Sequence, residues 1–378
     1  MRRSLINQMQ AQLNYPRSST IYKITGTKIF RLGSAMILSK YGENTQNKDK
    51  AIRYVYCSDG YELTQRTKEK LHEYLLTDNI SQFSEEELKS IKIMVQVDES
   101  GADALIVAYL CRAGKFRDLF IYGVKPHIYV ALHVFANVWK ERCKELDIDK
   151  FLHAKPSELK SISGFESLRK LIASSDEWAA HERFYYIAKM ICHAANYGMK
   201  GPTFALNVLQ KSEGSIRLSV EQATLYLNTY HRTFPEIQQW HSEVVYTAQK
   251  QNNVLYNLYG EPRLFAGLWS EEVNREMYAF IPASTVGQII NKAKTRIQMD
   301  LIETGELLDT DLLQNGHDSI LAQTLITQER FVAKTIQHYV NAPLVNFRGE
   351  KFSMKSESQI GANWGPQKYN NPLGLRNI

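Results

Sequence analysis

The chain has 378 residues, 44% of them hydrophobic and 23% charged, which is enough to bury cores in more than one subdomain and unlike a disordered or fibrous protein. Its formal charge of +6, from 46 Lys and Arg against 40 Asp and Glu, suits a polyanionic partner without requiring one. The four cysteines, Cys57, Cys111, Cys143 and Cys192, are far apart with no CxxC pair, so neither a zinc framework nor a disulfide framework is indicated, and a reducing cytoplasm fits best. The longest apolar run, residues 104–111, is too short to span a bilayer, and the N-terminus lacks a secretory apolar segment, so no membrane association is expected.

Residues 1–60 are turn-rich, with a polar stretch at 41–50 that reads as an exposed loop. Helical patterns follow at 68–76 and 84–91, the second opened by Ser84 and three glutamates that complement the positive end of a helix. Ile93 to Asp98 alternates as a strand that delivers Asp98 at its end, and residues 102–111 turn helical. From 114 to about 269 the pattern is mainly helical, with helices expected at 130–146, 178–199 and 219–230, the last carrying Ser219 and Gln222 at capping-box spacing. Strand character returns at 254–258, a helix is expected at 286–301, and residues 312–321 read as strand, tight turn, strand, with Asp318 at the turn.

Within the helical block, His181, Tyr185, Lys189, His193 and Tyr197 recur at every fourth position, so a helix there carries a cationic, aromatic and hydrogen-bonding stripe. Ile187, Met190, Ile191 and Ala194 form its apolar side, and Gly198 stands where a left-handed cap would end it. A lysine beside flat rings suits a triphosphate and a base. Asp98 and Asp318, each at a strand end or hairpin, form a hard-cation site if one sheet brings them together, because carboxylate oxygens suit Mg²⁺. Two such ions about 3.5–4 Å apart support in-line phosphoryl displacement.

The chain resembles the polymerase portion of family A DNA polymerases, the group of bacterial repair polymerase I and many bacteriophage replicases. The likeness runs from about residue 20 to the C-terminus through ordered segments. These are Thr25-Gly26-Thr27, Arg31 to Ser34, Asn44 to Asn47, Asp98 to Asp103, Lys189 to Gly198, Gly260 to Arg263, Ala279 to Val286, His317-Asp318-Ser319, and Ile360 to Gly365. It implies an α+β right-hand polymerase fold. An antiparallel palm sheet (residues 1–112 and 276–378) would be interrupted by a large helical fingers insertion (113–275), with the thumb largely absent. The implied activity is template-directed addition of deoxynucleotides to a primer 3′ end, in phage DNA replication and, for a viral protein, in the host cytoplasm.

The same resemblance assigns roles. Asp98 and Asp318, with the backbone carbonyl of Glu99, would hold two Mg²⁺ ions, for which Mn²⁺ can substitute. Lys189, and by analogy His127, would contact the triphosphate. Tyr197 would stack near the templating pair, and Asp103 would exclude a ribose 2′-hydroxyl. Arg31, Gln46, Asn47, Arg263, Ser284 and His317 would line the primer-template DNA. The pattern also departs from the family: Tyr185 stands where an arginine is usual, leaving Arg183 as the nearby cation. His193 replaces an aromatic residue next to the sugar, Asp103 replaces a glutamate, and Ser319 replaces a third carboxylate. Because few residues precede the first motif, a second protein chain supplying thumb and exonuclease is expected. The alternatives are a non-catalytic accessory subunit that binds nucleic acid, and an RNA-synthesising nucleotidyltransferase.

Overall fold

The computed structural model describes residues 21–23, 33–35, 50–58, 64–307, 309–368 and 370–378. Arg31, Gln46 and Asn47 lie outside the described residues. The chain divides into two compact units, one formed by residues 1–102, 283–344 and 351–378, the other by 103–282 and 345–350.

The first unit is built on a five-stranded antiparallel sheet. Its strands are β3 (Lys92–Glu99), β6 (Asp311–Asn315), β7 (Ser319–Leu325), β10 (Ser356–Gly361) and β11 (Arg376–Asn377), in the order β11-β10-β3-β7-β6, while β1 (Ile21–Lys23) pairs with β2 (Gly33–Ala35) and β8 (Pro343–Val345) with β9 (Lys351–Ser353) in separate two-stranded ladders. The central strand β3 alternates as its sequence dictates. Ile93, Val95 and Val97 point into one core together with Ile320, Ala322 and Ile360. That core is closed by helix α1 (Gln65–Thr77) through Leu71 and Leu75, and by helix α14 (Glu329–Val340) through Val332 and Ile336. Burying this apolar set is the main stabilising contribution, on the order of 25 cal/mol per Å² removed from water. Tyr74 donates its hydroxyl hydrogen to the buried Glu329 carboxylate at 2.7 Å, a long-range tie between α1 and α14.

On the other face of the sheet, Met94 packs with Leu321, Trp364 and Leu375, and the Trp364 indole donates to Gln96 Oε1 at 2.9 Å. This face is covered only in part, and toward the end of β3 it presents Asp98. Short α2 (Glu85–Ser90) opens with the expected capped turn: Ser84 Oγ accepts from Glu87 N–H, and the Glu87 side chain accepts from Ser84 N–H.

The second unit is helical. Its elements are α3 (Ala102–Leu110), α4 (Lys115–Ile121), α5 (Pro126–Val134), α6 (Ala136–Arg142), α7 (Ile148–His153), α8 (Phe165–Ser174), α9 (Phe184–Asn196), α10 (Gly201–Lys211), α11 (Val220–Thr233) and α12 (Pro235–Lys250), followed by the hairpin β4 (Val254–Tyr256) and β5 (Pro262–Leu264). Its core is aromatic: Phe234 meets Phe116, Tyr230 and Tyr129 with ring centroids 5.1, 5.0 and 5.8 Å apart.

Several boundaries differ from the sequence expectation. The helix expected at 130–146 is two helices broken at Phe135. The one expected at 178–199 shortens to α9, because Ser175–Glu177 and Ala180–Glu182 form separate tight 3₁₀ turns, which removes His181 from the stripe. The helix expected at 286–301 is much longer. Helix α13 (Glu271–Arg296) starts earlier and carries Pro282 inside it, and the chain passes from one unit to the other along it. The residues on either side of Pro282, Ile281 and Ala283, are buried, and that burial offsets the cost of the missing N–H.

Candidate active site

Strand β3 hands the chain from Val97, in the core, to Asp98 on the open face, and then to Glu99, buried again on the core side. Asp98 is flanked across the ladder by Ser319 of β7 and by Glu357 of β10. The Glu99 N–H donates to the Asp318 carbonyl at 2.8 Å, so the ladder fixes the residue after Asp98 to the residue before Ser319. Two aspartates far apart in sequence are thereby held at one end of one sheet. Asp318 and His317 occupy the exposed turn between β6 and β7. That turn is tight: Gly316 N–H donates to the Ser319 carbonyl at 2.8 Å, and a Cβ at Gly316 would stand 2.1 Å from Ser319 Oγ.

Burial, and next the charge of Asp318, push the Asp98 carboxyl up to about 7; Glu357 adds to the rise, while Lys50 and Arg53 oppose it. Arg53 lies with its guanidinium 4.3 Å from the Trp364 ring centroid, at the rim of the same face. Close carboxylates that resist joint ionisation are the arrangement a divalent cation relieves. Among the described residues no group of three or more His, Cys, Asp or Glu has metal-holding geometry. A dyad still fits Mg²⁺, which takes one or two carboxylates and completes its shell with water and phosphate oxygens. Glu357 and the cations Lys50 and Arg53 escaped the sequence reading. Only the strand pairing reveals them, although the alternating Ser-Glu-Ser-Gln-Ile run was a usable hint that Glu357 faces outward.

In the helical unit, α9 buries Ile187, Met190, Ile191 and Ala194 as its apolar side requires, and turns out Tyr185, Lys189 and His193. Gly198 follows at φ +67°, the left-handed cap that its position demanded. The Lys189 ammonium sits 4.4 Å from the Tyr185 ring centroid and pairs with Asp176 Oδ2 at 2.9 Å. His127, at the start of α5, packs edge-on against Tyr185 with centroids 6.0 Å apart. Burial and then the nearby Lys189 charge hold His127 down to about 4, so its imidazole is neutral at pH 7. His193 is exposed and meets Tyr197 edge-on at 5.0 Å.

Arg183 stands just before α9 in a non-helical conformation. Its Nε donates to the Asp176 carbonyl at 2.9 Å and its guanidinium lies 4.3 Å over the Tyr186 ring. Asp103 is partly buried in the first turn of α3. Arg263 on β5 pairs with Glu276 and lies 4.3 Å over Phe265, so its charge is already engaged. Ser284 is completely buried within α13, which leaves its hydroxyl no surface to offer a duplex. The structure thus assembles Asp98 with Asp318 in one unit, and Lys189 with His127 and Tyr185 in the other.

A cavity of about 290 Å³ opens beside Gly198, where α9 passes into α10, and is lined by His231, His241, Asn274, Arg275 and Tyr278 among others. His241 stacks on Tyr278, with centroids 4.0 Å apart and planes within 16°, and its Nε2 meets the Asn196 carbonyl at 2.7 Å. No helix among the described residues is long and apolar enough to cross a membrane.

No protein-family model matches the chain, and no curated protein matches its sequence. Among solved structures it is similar to the POL domain of Pol1 from M. smegmatis in complex with DNA primer-template and dNTP, with a TM-score of 0.62 and 16% sequence identity. That similarity covers 96% of this chain and 50% of the other, so the chain spans about half the length of that polymerase structure. Its mixed architecture, helices with an antiparallel sheet, resembles that of this polymerase domain.

Proposed function

We propose that this chain is a template-directed DNA polymerase that adds deoxynucleotides to a primer 3′ end. The observation that carries the reading is the pairing of β3 with the turn before β7, which brings Asp98, at the end of β3, and Asp318, in that turn, to one end of the sheet. The polymerase-domain fold supports it, and the primer-template and dNTP bound to the M. smegmatis protein suggest the same partners here. In this reading the sheet unit is the palm and the helical unit the fingers.

Asp98 and Asp318, with the Glu99 carbonyl, would hold Mg²⁺, and Mg²⁺ bound there would activate the attacking primer oxygen and neutralise the leaving pyrophosphate. The residues do the rest by position and charge. The β6–β7 turn presents Asp318 without needing to move, because Gly316 and Ser319 close it. Lys189 neutralises the polyphosphate, and neutral His127 donates a hydrogen bond to it. Tyr197 packs near the templating pair, and Asp103 crowds a 2′-hydroxyl. Contacts of this kind, directed to phosphate, sugar and shape, accept any template sequence. The departures at Asp103, His193 and Ser319 favour a bacteriophage-type enzyme.

Extension of a primed DNA template with Mg²⁺ tests the proposal, comparing deoxynucleotides with ribonucleotides in the parent, D98A and D318A. Template-dependent deoxynucleotide addition that both substitutions abolish is the expected result. Preferred ribonucleotide addition would favour an RNA-synthesising enzyme. No addition at high protein and low salt, with DNA still bound, would reduce the chain to an accessory binding role.

A further inference from the structure

Asp176 sits in the tight turn Ser175–Glu177, held in place from both sides. Ser175 Oγ donates to the Ile172 carbonyl at 2.6 Å and accepts the Tyr185 N–H at 3.0 Å, while Arg183 Nε takes the Asp176 carbonyl. The turn aims the Asp176 carboxylate at Lys189. Oδ2 accepts from the ammonium at 2.9 Å, and Oδ1 is buried with no hydrogen-bond partner among the described residues. A buried carboxylate oxygen without a partner is costly and calls for an explanation. Of the other cations nearby, Arg183 holds the Asp176 carbonyl and lies over Tyr186 rather than on the Asp176 carboxylate, and Lys125 acts on His127. His127 is neutral near pH 7, the position one turn before Lys189 is Tyr185, and Arg169, whose charge reaches Tyr185, is committed to Glu166 at 2.7 Å. The ammonium of Lys189 and the carboxylate of Asp176 therefore cancel at the place where a polyphosphate would dock.

We propose that Asp176 is a specificity-determining residue: it holds Lys189 in the free protein, and an incoming polyphosphate must take the ammonium from it. This rests on the reading of Lys189 as the polyphosphate lysine. A ligand carrying many negative charges displaces Asp176 readily, whereas one with few does not, because it replaces one anion by another with small net gain. The residue thus sets the preference for triphosphate over shorter phosphates, and it reclaims Lys189 as pyrophosphate departs, which speeds product release. A partly exposed pair of this type changes affinity modestly, so the effect is graded.

The test is calorimetric titration of the 378-residue chain with inorganic tripolyphosphate and with orthophosphate, in low salt, for the parent, D176N, D176E and K189M. D176N is expected to bind tripolyphosphate about two- to fivefold more tightly. It should gain more for orthophosphate, flattening the ratio between the two, and D176E should restore the parent ratio. Unchanged or weaker binding by folded D176N overturns the proposal. K189M separates the two readings. Loss of tripolyphosphate binding in K189M with no gain in D176N sinks only the role of Asp176, while full binding by K189M removes the assignment of Lys189 and the proposal with it. If circular dichroism shows D176N unfolded, D176S carries the same comparison, since the backbone carbonyl that Arg183 uses is kept in either variant.

Discussion

Glu357 stands directly opposite Asp98 on adjacent antiparallel strands, and Ser319 stands opposite it on the other side. Residues facing each other across a ladder share a sheet face, so Glu357 contributes its charge to the Asp98 site from a strand more than two hundred residues away. Asp98 thus has an acidic neighbour on one side of the ladder and a hydroxyl on the other.

E357Q is therefore expected to weaken the response to metal without abolishing activity. The Mg²⁺ concentration giving half-maximal primer extension should rise by roughly two- to tenfold, because one nearby negative charge is lost from a partly solvated site. An unchanged Mg²⁺ dependence would show that Glu357 is a solvated bystander.

Asp98 resists ionisation in the folded chain, with its carboxyl raised from 3.8 to about 7. A raised carboxyl binds its proton more tightly when folded, so its contribution favours folding at low pH and is lost as pH rises toward 7. At pH 8 D98N should then melt at a higher temperature than the metal-free parent. Mg²⁺ should raise the parent midpoint and leave D98N nearly unmoved, as binding to the native state alone stabilises it. Equal Mg²⁺ shifts in both proteins would place the metal elsewhere.

Three histidines of the helical unit, His127, His231 and His241, are held down to about 4, each chiefly by burial. Unfolded histidine titrates near 6.5, so between those values the unfolded chain takes up protons that the native chain refuses. Stability is present above pH 6.5 and is lost as pH falls toward 4, on the order of 1 kcal/mol per pH unit for each histidine. Urea midpoints at pH 7 and pH 5 should differ accordingly, and H231Q should reduce the difference. A flat profile would mean that these rings are solvated.

G316A should destabilise the β6–β7 turn. Its methyl would stand 2.1 Å from Ser319 Oγ, which can rotate away, and 3.0 Å from the Ser319 carbonyl, which cannot. A cost of about 1–2 kcal/mol follows from such overpacking, and displacement of Asp318 should lower primer extension more than it lowers stability. G316A/S319A, which removes the hydroxyl clash but not the carbonyl one, should recover only part of the loss; full recovery would assign the effect to the side chain.

Local periodicity carried much of this molecule. The alternation of Ile93, Val95 and Val97 made β3 a half-buried strand and put Asp98 on its polar face, and the apolar side of α9 with Gly198 after it was legible for the same reason. These are short-range consequences of side-chain direction and backbone conformation, which a linear sequence contains. Other features depended on tertiary contacts. The register that puts Glu357 beside Asp98 joins strands far apart in the chain, while the contacts of Asp176 with Lys189 and of Arg263 with Glu276, each 13 positions apart, depend on how the intervening turns fold, which no periodicity announces. The interruption of α9 before Phe184 and the persistence of α13 through Pro282 were decided the same way, since burial of neighbouring side chains outweighs the kilocalorie-scale preferences of individual residues. The sequence by itself determined which residues could do the chemistry, because charge, spacing and turn preference are local. The tertiary structure decided which of them meet, because strand register and helix packing bring together groups that the chain keeps far apart.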